Sequence, residues 1–135
     1  MRIFNIPVLF ILFIYTFLIA VYLITSWKTK NNAGHMSYSN GFLKVGVDGY
    51  YYVYAQINYK DAHSTLNGYM LCIDGKQVLE ALNSVISATK KYNTNYIGGI
   101  FPIKAGQKIS IRTPYKQAYD FVETRSYFGA FMIHS

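Results

Sequence analysis

The stretch "YYYVYAQINY", residues Tyr50 to Tyr59, decides the fold because its side chains alternate between two kinds of surface. Successive side chains of a β-strand point to opposite faces of the sheet. The odd positions, beginning at Tyr51, make an ordinary apolar core face. The even positions begin with three tyrosines and continue with Gln56 and Asn58, an unusual pattern for a face in water. The stretch therefore predicts a strand that contacts a core on one face and a large partner on the other.

Further strand-like runs surround this stretch and are separated by Asn-Gly and Asp-Gly turn signals. In "YFGAFMI" both alternating faces are apolar, which is typical of a strand covered on both sides. Pro102 lacks a ladder donor and indicates a sheet edge or a bulge, and residues Asn83 to Lys91 are interpreted as a loop. The spacing of the runs favours a β-sandwich over alternating βαβ units. The predicted strands are "FLKVGV", "YYYVYAQINY", "YMLCI", "QVLEAL", "YIGGIFPI", "KISIRT" and "YFGAFMI".

The composition indicates one compact, β-rich domain. The chain has 135 residues, of which 52% are hydrophobic, 18% aromatic and 14% charged. Aromatic side chains favour pleated, half-buried surfaces, and this hydrophobic content argues against disorder. Cys72 is the single cysteine, so no disulfide within the chain is possible. Its apolar neighbours predict a buried strand position for the thiol.

The formal net charge of +7 does not by itself indicate nucleic-acid binding. Three cations flank an N-terminal apolar run, and from Met36 onward ten Lys/Arg residues stand against six Asp/Glu residues. These cations are scattered singly along strands and turns, which is typical of a solvated surface. We expect no nucleic-acid partner, and weak attraction to polyanions such as sulfated glycans stays open.

The N-terminal residues predict a membrane anchor. Residues 6–27 read "IPVLFILFIYTFLIAVYLITSW" and carry no formal charge. At about 1.5 Å per helical residue, this run is long enough to cross a hydrocarbon core of about 30 Å. A cleaved signal peptide is the alternative, but its apolar region is normally shorter and ends in small residues. We expect a short segment over 1–5, a transmembrane signal-anchor over 6–27, a linker over 28–37 and the domain over 38–135, and the flanking charges do not decide the orientation of the anchor.

No enzyme motif is present in the sequence. A nucleophile elbow, a zinc signature, a phosphate loop and a dinucleotide fingerprint are all absent. The three histidines do not have the spacing of metal ligands. The acidic residues are few and mostly stand at turns, where Asp is common. We therefore predict a non-enzymatic protein with no catalytic residue, cofactor or metal.

Three motifs give the chain a likeness to a known family. "GFLKVGVDGYYYVYAQINY", "YIGGIFPIKAGQKISI" and the terminal "YFGAFMI" occur in this order. Together with "KYNTNY", they resemble the tumour necrosis factor ligands, closest to ectodysplasin and eiger-like members. The resemblance implies a type II plasma-membrane protein with residues 1–5 in the cytoplasm and an extracellular jelly-roll domain. It also implies a cytokine that forms a homotrimer and clusters cysteine-rich receptors of the tumour necrosis factor receptor type to trigger signalling.

The resemblance further implies which residues form the trimer interface. Tyr54, Tyr96 and Tyr127 stand where family members place aromatic residues along the trimer axis. Tyr52 stands at another contact of the same sheet, and Phe128 is assigned to the interface with them. Individual receptor-binding residues stay unassigned. The candidate receptor loops are Asp61 to Asn67, Asn83 to Lys91 and Pro114 to Tyr119.

The chain departs from the family pattern in two places. The cysteine pair of ectodysplasin-like members would fall near Ala81 and Asn95, and both cysteines are absent. Few polar residues separate the apolar run from "GFLKV", so we expect a jelly roll shortened at its N-terminal strands. A complement-type globular head is an alternative function, although no collagen-like repeat precedes the domain. An incomplete, inactive gene product is a second alternative.

Overall fold

The computed structural model describes residues 22–25, 27–28, 35–60, 66–84, 92–114, 119–120 and 122–135. These residues contain ten β-strands. The seven predicted strands correspond to β3 to β8 and β10, whereas β1, β2 and β9 are additions of the structure. The strands are β1 (Tyr22–Leu23), β2 (Met36–Ser39), β3 (Phe42–Val45), β4 (Gly49–Tyr59), β5 (Leu66–Ile73), β6 (Lys76–Ser84), β7 (Asn93–Ile103), β8 (Lys108–Thr113), β9 (Tyr119–Asp120) and β10 (Tyr127–His134).

Two antiparallel sheets form an all-β sandwich, as the strand pattern predicts. One sheet has the order β2-β3-β8-β5-β6, with β1 also paired to β8. The other has the order β10-β4-β7, with β9 paired to the end of β4. We refer to them as the six-stranded and the four-stranded sheet. Strand β4 is the centre of the four-stranded sheet and β7 is its edge, which confirms the edge position predicted from Pro102.

The core is built on the odd face of β4. Val53, Ala55 and Ile57 are fully buried in one cluster with Leu71 of β5 and Ile111 of β8. Burying one such aliphatic side chain contributes about 1.5–3 kcal/mol relative to leaving it in water. The alternation in β4 therefore identifies the core face correctly.

Two tight turns set the register of the hairpins in the six-stranded sheet. Asn40 and Gly41 have φ angles of 48° and 91°, and Asp74 and Gly75 have 50° and 78°. Two successive positive φ angles favour Asn-Gly and Asp-Gly, and they match the right-handed twist of paired strands. These turns join β2 to β3 and β5 to β6, as their sequences predict.

The end of the N-terminal apolar run lies in the sandwich. Tyr22–Leu23 pairs with the end of β8, and Ile24 is only 5% exposed in the core. The predicted membrane helix is therefore wrong at its C-terminal boundary, Trp27. An apolar run has the same composition in a buried strand and in a membrane helix, so its sequence alone does not separate the two. Residues 6–21 and position 26 of the predicted span, and the predicted cytoplasmic residues 1–5, lie outside the described residues.

Trp27 packs inside the domain instead of marking a membrane interface. Its ring lies edge-on to Phe128 with centroids 4.9 Å apart, and its Nε1 donates to the Ile24 carbonyl at 2.9 Å. Strand β2 occupies part of the predicted linker 28–37, of which residues 29–34 lie outside the described residues. Two short strands thus precede "GFLKV", where the sequence indicated none. No helix able to span a bilayer occurs in the described ranges.

Cys72 lies in β5 and is 2% exposed, which confirms the predicted buried position. Burial raises the pKa of its thiol, and the nearby Arg112 opposes this rise. The thiolate is the reactive form of cysteine, so a raised pKa makes Cys72 less reactive near neutral pH.

A buried tyrosine ties the two sheets together. The hydroxyl of Tyr69, in β5, lies 2.9 Å from the carbonyl oxygens of both Ala55 in β4 and Asn95 in β7 and donates to them. Burial raises the pKa of Tyr69, so the hydroxyl keeps its proton throughout the neutral range. The strands of opposite sheets are thereby joined by a polar contact inside the core.

We expect Tyr69→Phe to lower the stability of the folded chain by about 1–3 kcal/mol, because the shared hydrogen bond is lost inside the core. The measurement is the thermal unfolding midpoint of the full chain in non-ionic detergent. The matched control is Tyr50→Phe, since Tyr50 is 52% exposed. Equal midpoints for the two variants would contradict the structural role of the Tyr69 hydroxyl.

Candidate functional site

The even face of β4 continues across the four-stranded sheet as a single surface. Tyr52 lies opposite Phe131 of β10 and Ile100 of β7 in the strand register. Side chains at paired positions share a face, so the surface extends over all three strands. We call it the aromatic face. It consists of the even positions 50–56 of β4, the even positions 96–102 of β7 and the odd positions 127–131 of β10, with His134 opposite Tyr50 after a register shift.

The structure brings four of the five predicted interface residues together on the aromatic face. The hydroxyl groups of Tyr52 and Tyr96 are hydrogen-bonded at 2.9 Å. The ring of Tyr54 stacks on that of Tyr52 at a centroid distance of 6.1 Å and meets that of Tyr127 edge-on at 6.2 Å. Tyr127 also donates to Oε1 of Gln56 at 3.3 Å. The tyrosines thus form one connected layer in which neighbouring rings and hydroxyls hold each other in place.

Phe128, the fifth predicted residue, does not belong to this layer. It pairs with Ala55, which is fully buried, and it packs against the core and Trp27. Tyr127 and Phe128 are consecutive residues of a strand, so their side chains must point to opposite faces. Phe128 therefore lies on the core side of β10, and its assignment to the trimer interface stays a prediction.

Two glycines that the sequence analysis did not single out give the tyrosine rings their space. A Cβ at Gly129 would lie 2.6 Å from the hydroxyl oxygen and 2.9 Å from Cζ of Tyr54. A Cβ at Gly98 would overlap the hydroxyl of Tyr52. Each tyrosine ring therefore lies across the backbone of the neighbouring strand. Glycine inside a strand is a sequence signal for such a close approach, and it was available in "YIGG" and "YFGA".

The aromatic face is open to solvent in the single chain. Tyr96 is 51% exposed, Ile100 58% and Phe131 53%. Single exposed apolar residues are normal, but a contiguous group of them marks an interaction surface. None of the positions of the aromatic face carries a charged side chain. The surface is therefore suited to burial against another apolar surface and not to binding a charged ligand.

The hydrogen bond between Tyr52 and Tyr96 has an electrostatic consequence. It raises the pKa of Tyr96 to about 12, with desolvation as the second cause. The neutral phenol takes part in the hydrogen bond, so ionising Tyr96 next to Tyr52, Tyr54 and Tyr127 is unfavourable. Tyr96 is thus uncharged over the whole physiological pH range.

The acidic residues act as turn formers in the structure. A carboxylate oxygen of Asp48 accepts from the Ala105 amide at 2.7 Å, and one of Asp74 accepts from the Lys108 amide at 2.9 Å. Asp120 pairs with Arg125 at 2.6 Å, and this contact lowers the pKa of the carboxyl. Within the described ranges, no three His, Cys, Asp or Glu side chains are grouped so as to hold a metal ion.

The candidate receptor loops fall largely outside the described residues. Residues 61–65, 85–91 and 115–118 are not described, and the start of the predicted loop 83–91 belongs to β6. Strand β5 (Leu66–Ile73) includes the last two residues of the predicted loop 61–67. The receptor-loop predictions stay predictions.

Comparison with known proteins identifies the family. The sequence model of the TNF (Tumour Necrosis Factor) family matches residues 25–133. The chain belongs to the TNF family. This match begins at residue 25, before "GFLKV", in agreement with the position of Trp27 inside the sandwich. Ligands of this family are cytokines and not enzymes, which confirms the non-enzymatic prediction.

Individual relatives agree with this membership. The chain is 30% identical to human and mouse ectodysplasin-A over 93 residues, covering 67% of this chain and 24% of each relative. It is 29% identical to human tumor necrosis factor ligand superfamily member 11 over 133 residues, covering 79% of this chain and 38% of that protein. The matches thus span about a quarter to two fifths of the relatives' lengths. The predicted likeness to ectodysplasin is confirmed.

The fold is shared with a solved structure of the family. The crystal structure of murine APRIL at pH 5.0 superimposes with a TM-score of 0.73 at 18% sequence identity. The superposition covers 84% of this chain and 88% of the APRIL chain. The sandwich is therefore the jelly roll that the sequence resemblance implies.

Tyr96 should lose its proton more easily when the Tyr52 hydroxyl is removed. We expect Tyr52→Phe to lower the pKa of Tyr96 from about 12 toward the ordinary tyrosine value, because the hydrogen bond is its first cause. The measurement is a pH titration of tyrosine ring carbons by NMR on the full chain in detergent. The control, Tyr50→Phe, should leave the titration unchanged, and a pKa of Tyr96 unmoved in Tyr52→Phe would refute the interpretation.

The same contact predicts the direction of a stability change with pH. A group whose pKa is raised by folding stabilises the protein fully below its unfolded pKa. The contribution of Tyr96 is thus complete below pH 10 and is lost as the pH rises toward about 12. The drop in unfolding midpoint across this window should be smaller in Tyr52→Phe than in the wild type.

Proposed function

We propose that the chain is a membrane-tethered cytokine of the TNF type that assembles as a homotrimer and clusters a cell-surface receptor with cysteine-rich domains. The observation that carries this proposal is the aromatic face, which is contiguous, uncharged and half-exposed. Family membership favours this function over a complement-type globular head.

Self-association is the best explanation for the chemistry of the aromatic face. Three of its five tyrosine hydroxyls find partners within the chain, because those of Tyr52 and Tyr96 bond to each other and that of Tyr127 donates to Gln56. A partner surface therefore has few polar groups to satisfy and gains mainly from apolar and ring contacts. Three copies placed around an axis would bury the same face on each chain, which gives a closed assembly with cyclic symmetry.

A trimer would turn weak single contacts into stable receptor engagement. Three equivalent clefts between protomers would each take one receptor, and the second and third binding events would occur at a high effective concentration. Bound receptors would be held close to one another by the ligand, which is the proposed signal. The loops at 61–67, 83–91 and 114–119 stay candidates for the receptor contacts.

We place the membrane anchor in the apolar residues ahead of β1. Because Tyr22–Leu23 belongs to a sheet, the anchor must end before it. Residues 3–21 contain no charged side chain and would extend about 28 Å as a helix at 1.5 Å per residue. This length is close to the hydrocarbon thickness of a bilayer, about 30 Å. The domain would face the outside of the plasma membrane and the first residues the cytoplasm.

Introducing a charge at the centre of the aromatic face should prevent assembly. We expect Tyr96→Asp to yield monomers, because burying an unpaired carboxylate costs several kcal/mol, of the order of 3–5. The matched control is Tyr22→Asp, since Tyr22 is 42% exposed on β1 of the opposite sheet. The mass of the full chain in non-ionic detergent, corrected for bound detergent, should be three chains for the wild type and the control. A trimeric Tyr96→Asp chain would refute the assembly, and so would a monomeric wild type.

The tether is tested separately from the trimer. We expect the full chain to stay with the membrane fraction after alkaline carbonate washing and to be released by detergent. A C-terminal epitope should be digested by protease added to intact cells, whereas an N-terminal epitope should be protected. A chain recovered in the carbonate wash, or the reverse pattern of protection, would contradict the proposed orientation.

A further inference from the structure

A polar groove lies on the outer surface of the six-stranded sheet, on the opposite side of the sandwich from the aromatic face. Its volume is about 350 Å³. It runs across the β2-β3 hairpin and onto β8. Its lining consists of Ser37, Ser39, Asn40, Phe42, Lys44 and Lys108.

Two lysines face each other across this groove. Lys44 of β3 and Lys108 of β8 are directly paired in the strand register, and both are exposed. Side chains at such positions start about 5 Å apart, and like charges there destabilise a sheet. In the described part of the chain, neither ammonium group lies within ion-pair distance of a carboxylate. The groove therefore contains a concentrated positive charge with no counter-charge from the protein itself.

The neighbouring groups hold this charge in place. The ammonium group of Lys108 lies over the ring of Phe42, 5.4 Å from its centroid. Asp74 is the nearby acidic residue, but its carboxylate accepts from the Lys108 backbone amide at 2.9 Å and from Nε2 of Gln107 at 3.2 Å. It acts in the turn and does not pair with a lysine side chain. The field of the groove is thus positive.

The positive surface continues along β8. Arg112 lies on the same face of the strand as Lys108, four residues further on, which corresponds to about 13 Å. Its Nε lies 3.5 Å from Oγ of Ser110 between them. Two cations therefore lie side by side on neighbouring strands and a third lies further along β8, on the same surface of the sheet, although the three are separate in the sequence.

We propose that this groove binds a sulfated polysaccharide. Sulfate groups carry a permanent negative charge that Lys44 and Lys108 can neutralise together. The hydroxyl groups of Ser37 and Ser39 and the amide of Asn40 can donate hydrogen bonds to sulfate oxygens and can exchange hydrogen bonds with sugar hydroxyls. A chain of repeated anionic units can contact the Lys44–Lys108 pair and Arg112, about 13 Å along β8, at the same time, which a single small anion cannot do.

An extracellular position of the domain favours a glycan over a nucleic acid as the ligand of the groove. In this respect the inference rests on the proposed function. Sequence-independent binding of single-stranded nucleic acid uses aromatic rings on which bases stack. The one aromatic ring of the groove, Phe42, is already covered by Lys108. Because the groove lies opposite the aromatic face, a trimer built on that face would leave three grooves open. Their combined binding would exceed that of one groove.

The test compares two charge-matched double variants of the full chain in non-ionic detergent. Lys44→Ser/Lys108→Ser removes two charges from the groove. Lys28→Ser/Lys60→Ser removes two charges from exposed positions elsewhere. Binding to immobilised heparin is measured against NaCl concentration, and circular dichroism checks the fold of each variant.

We expect the groove variant to bind heparin about tenfold more weakly or worse near physiological salt, with a shallower salt dependence, because two ion contacts are lost. The control variant should bind within about twofold of the wild type. Equal weakening of both variants would show attraction by net charge alone and would overturn the proposal, as would unchanged binding of the groove variant.

Three further ligands separate the alternatives. Desulfated heparin should bind much more weakly than heparin to the wild type. Double-stranded DNA of similar charge and water-soluble inositol phosphates, which carry the charge of anionic lipid headgroups, should not distinguish the groove variant from the control. If DNA or inositol phosphates lose binding to the groove variant as strongly as heparin does, the site is a general anion site and the proposal is wrong. All of these readouts are independent of the trimer test, since heparin binding is measurable whether the wild type is a trimer or a monomer.

Discussion

The structure depends on the alternation of side chains along β4, the central strand of the four-stranded sheet. It pairs with β7 over its whole length and with β10 and β9 on its other side. Its odd positions complete the core, and its even positions supply the tyrosines of the aromatic face. A shift of register by one residue would exchange these two faces, so the hydrophobic core fixes the position of every aromatic side chain outside it.

Close packing on the aromatic face has a structural requirement of its own. Large rings on adjacent strands compete for the same space, and Gly98 and Gly129 remove that competition where Tyr52 and Tyr54 cross the neighbouring backbones. Glycine weakens a strand because it has no side chain to pack, and here the ring of the neighbouring tyrosine covers the backbone instead. The tyrosine rings consequently pack against one another and against the neighbouring backbones. Such a surface loses little conformational entropy when it is buried, which favours association.

The two outer surfaces of the sandwich differ sharply in chemistry. The aromatic face carries no charged side chain, whereas the opposite sheet presents Lys44, Lys108 and Arg112 along neighbouring strands. Charged residues would be costly at an interface between identical chains, because each copy would bring the same charge to the same place. Their position on the other sheet keeps the proposed self-association and the proposed anion binding physically independent of each other.

The sequence by itself determined the β-sandwich, seven of its strands, the two faces of β4, the family and the buried position of Cys72. These follow from local rules, because the alternation of side chains along a strand and the Asn-Gly and Asp-Gly turns depend only on consecutive residues. Tertiary structure alone decided which glycines admit the tyrosine rings, because this depends on pairing between distant strands. It also decided that Tyr22 to Trp27 belongs to the sandwich, since burial in a sheet and burial in a bilayer require the same apolar residues. Lys44 and Lys108 are far apart in the chain, and only the register of β3 on β8 makes them neighbours.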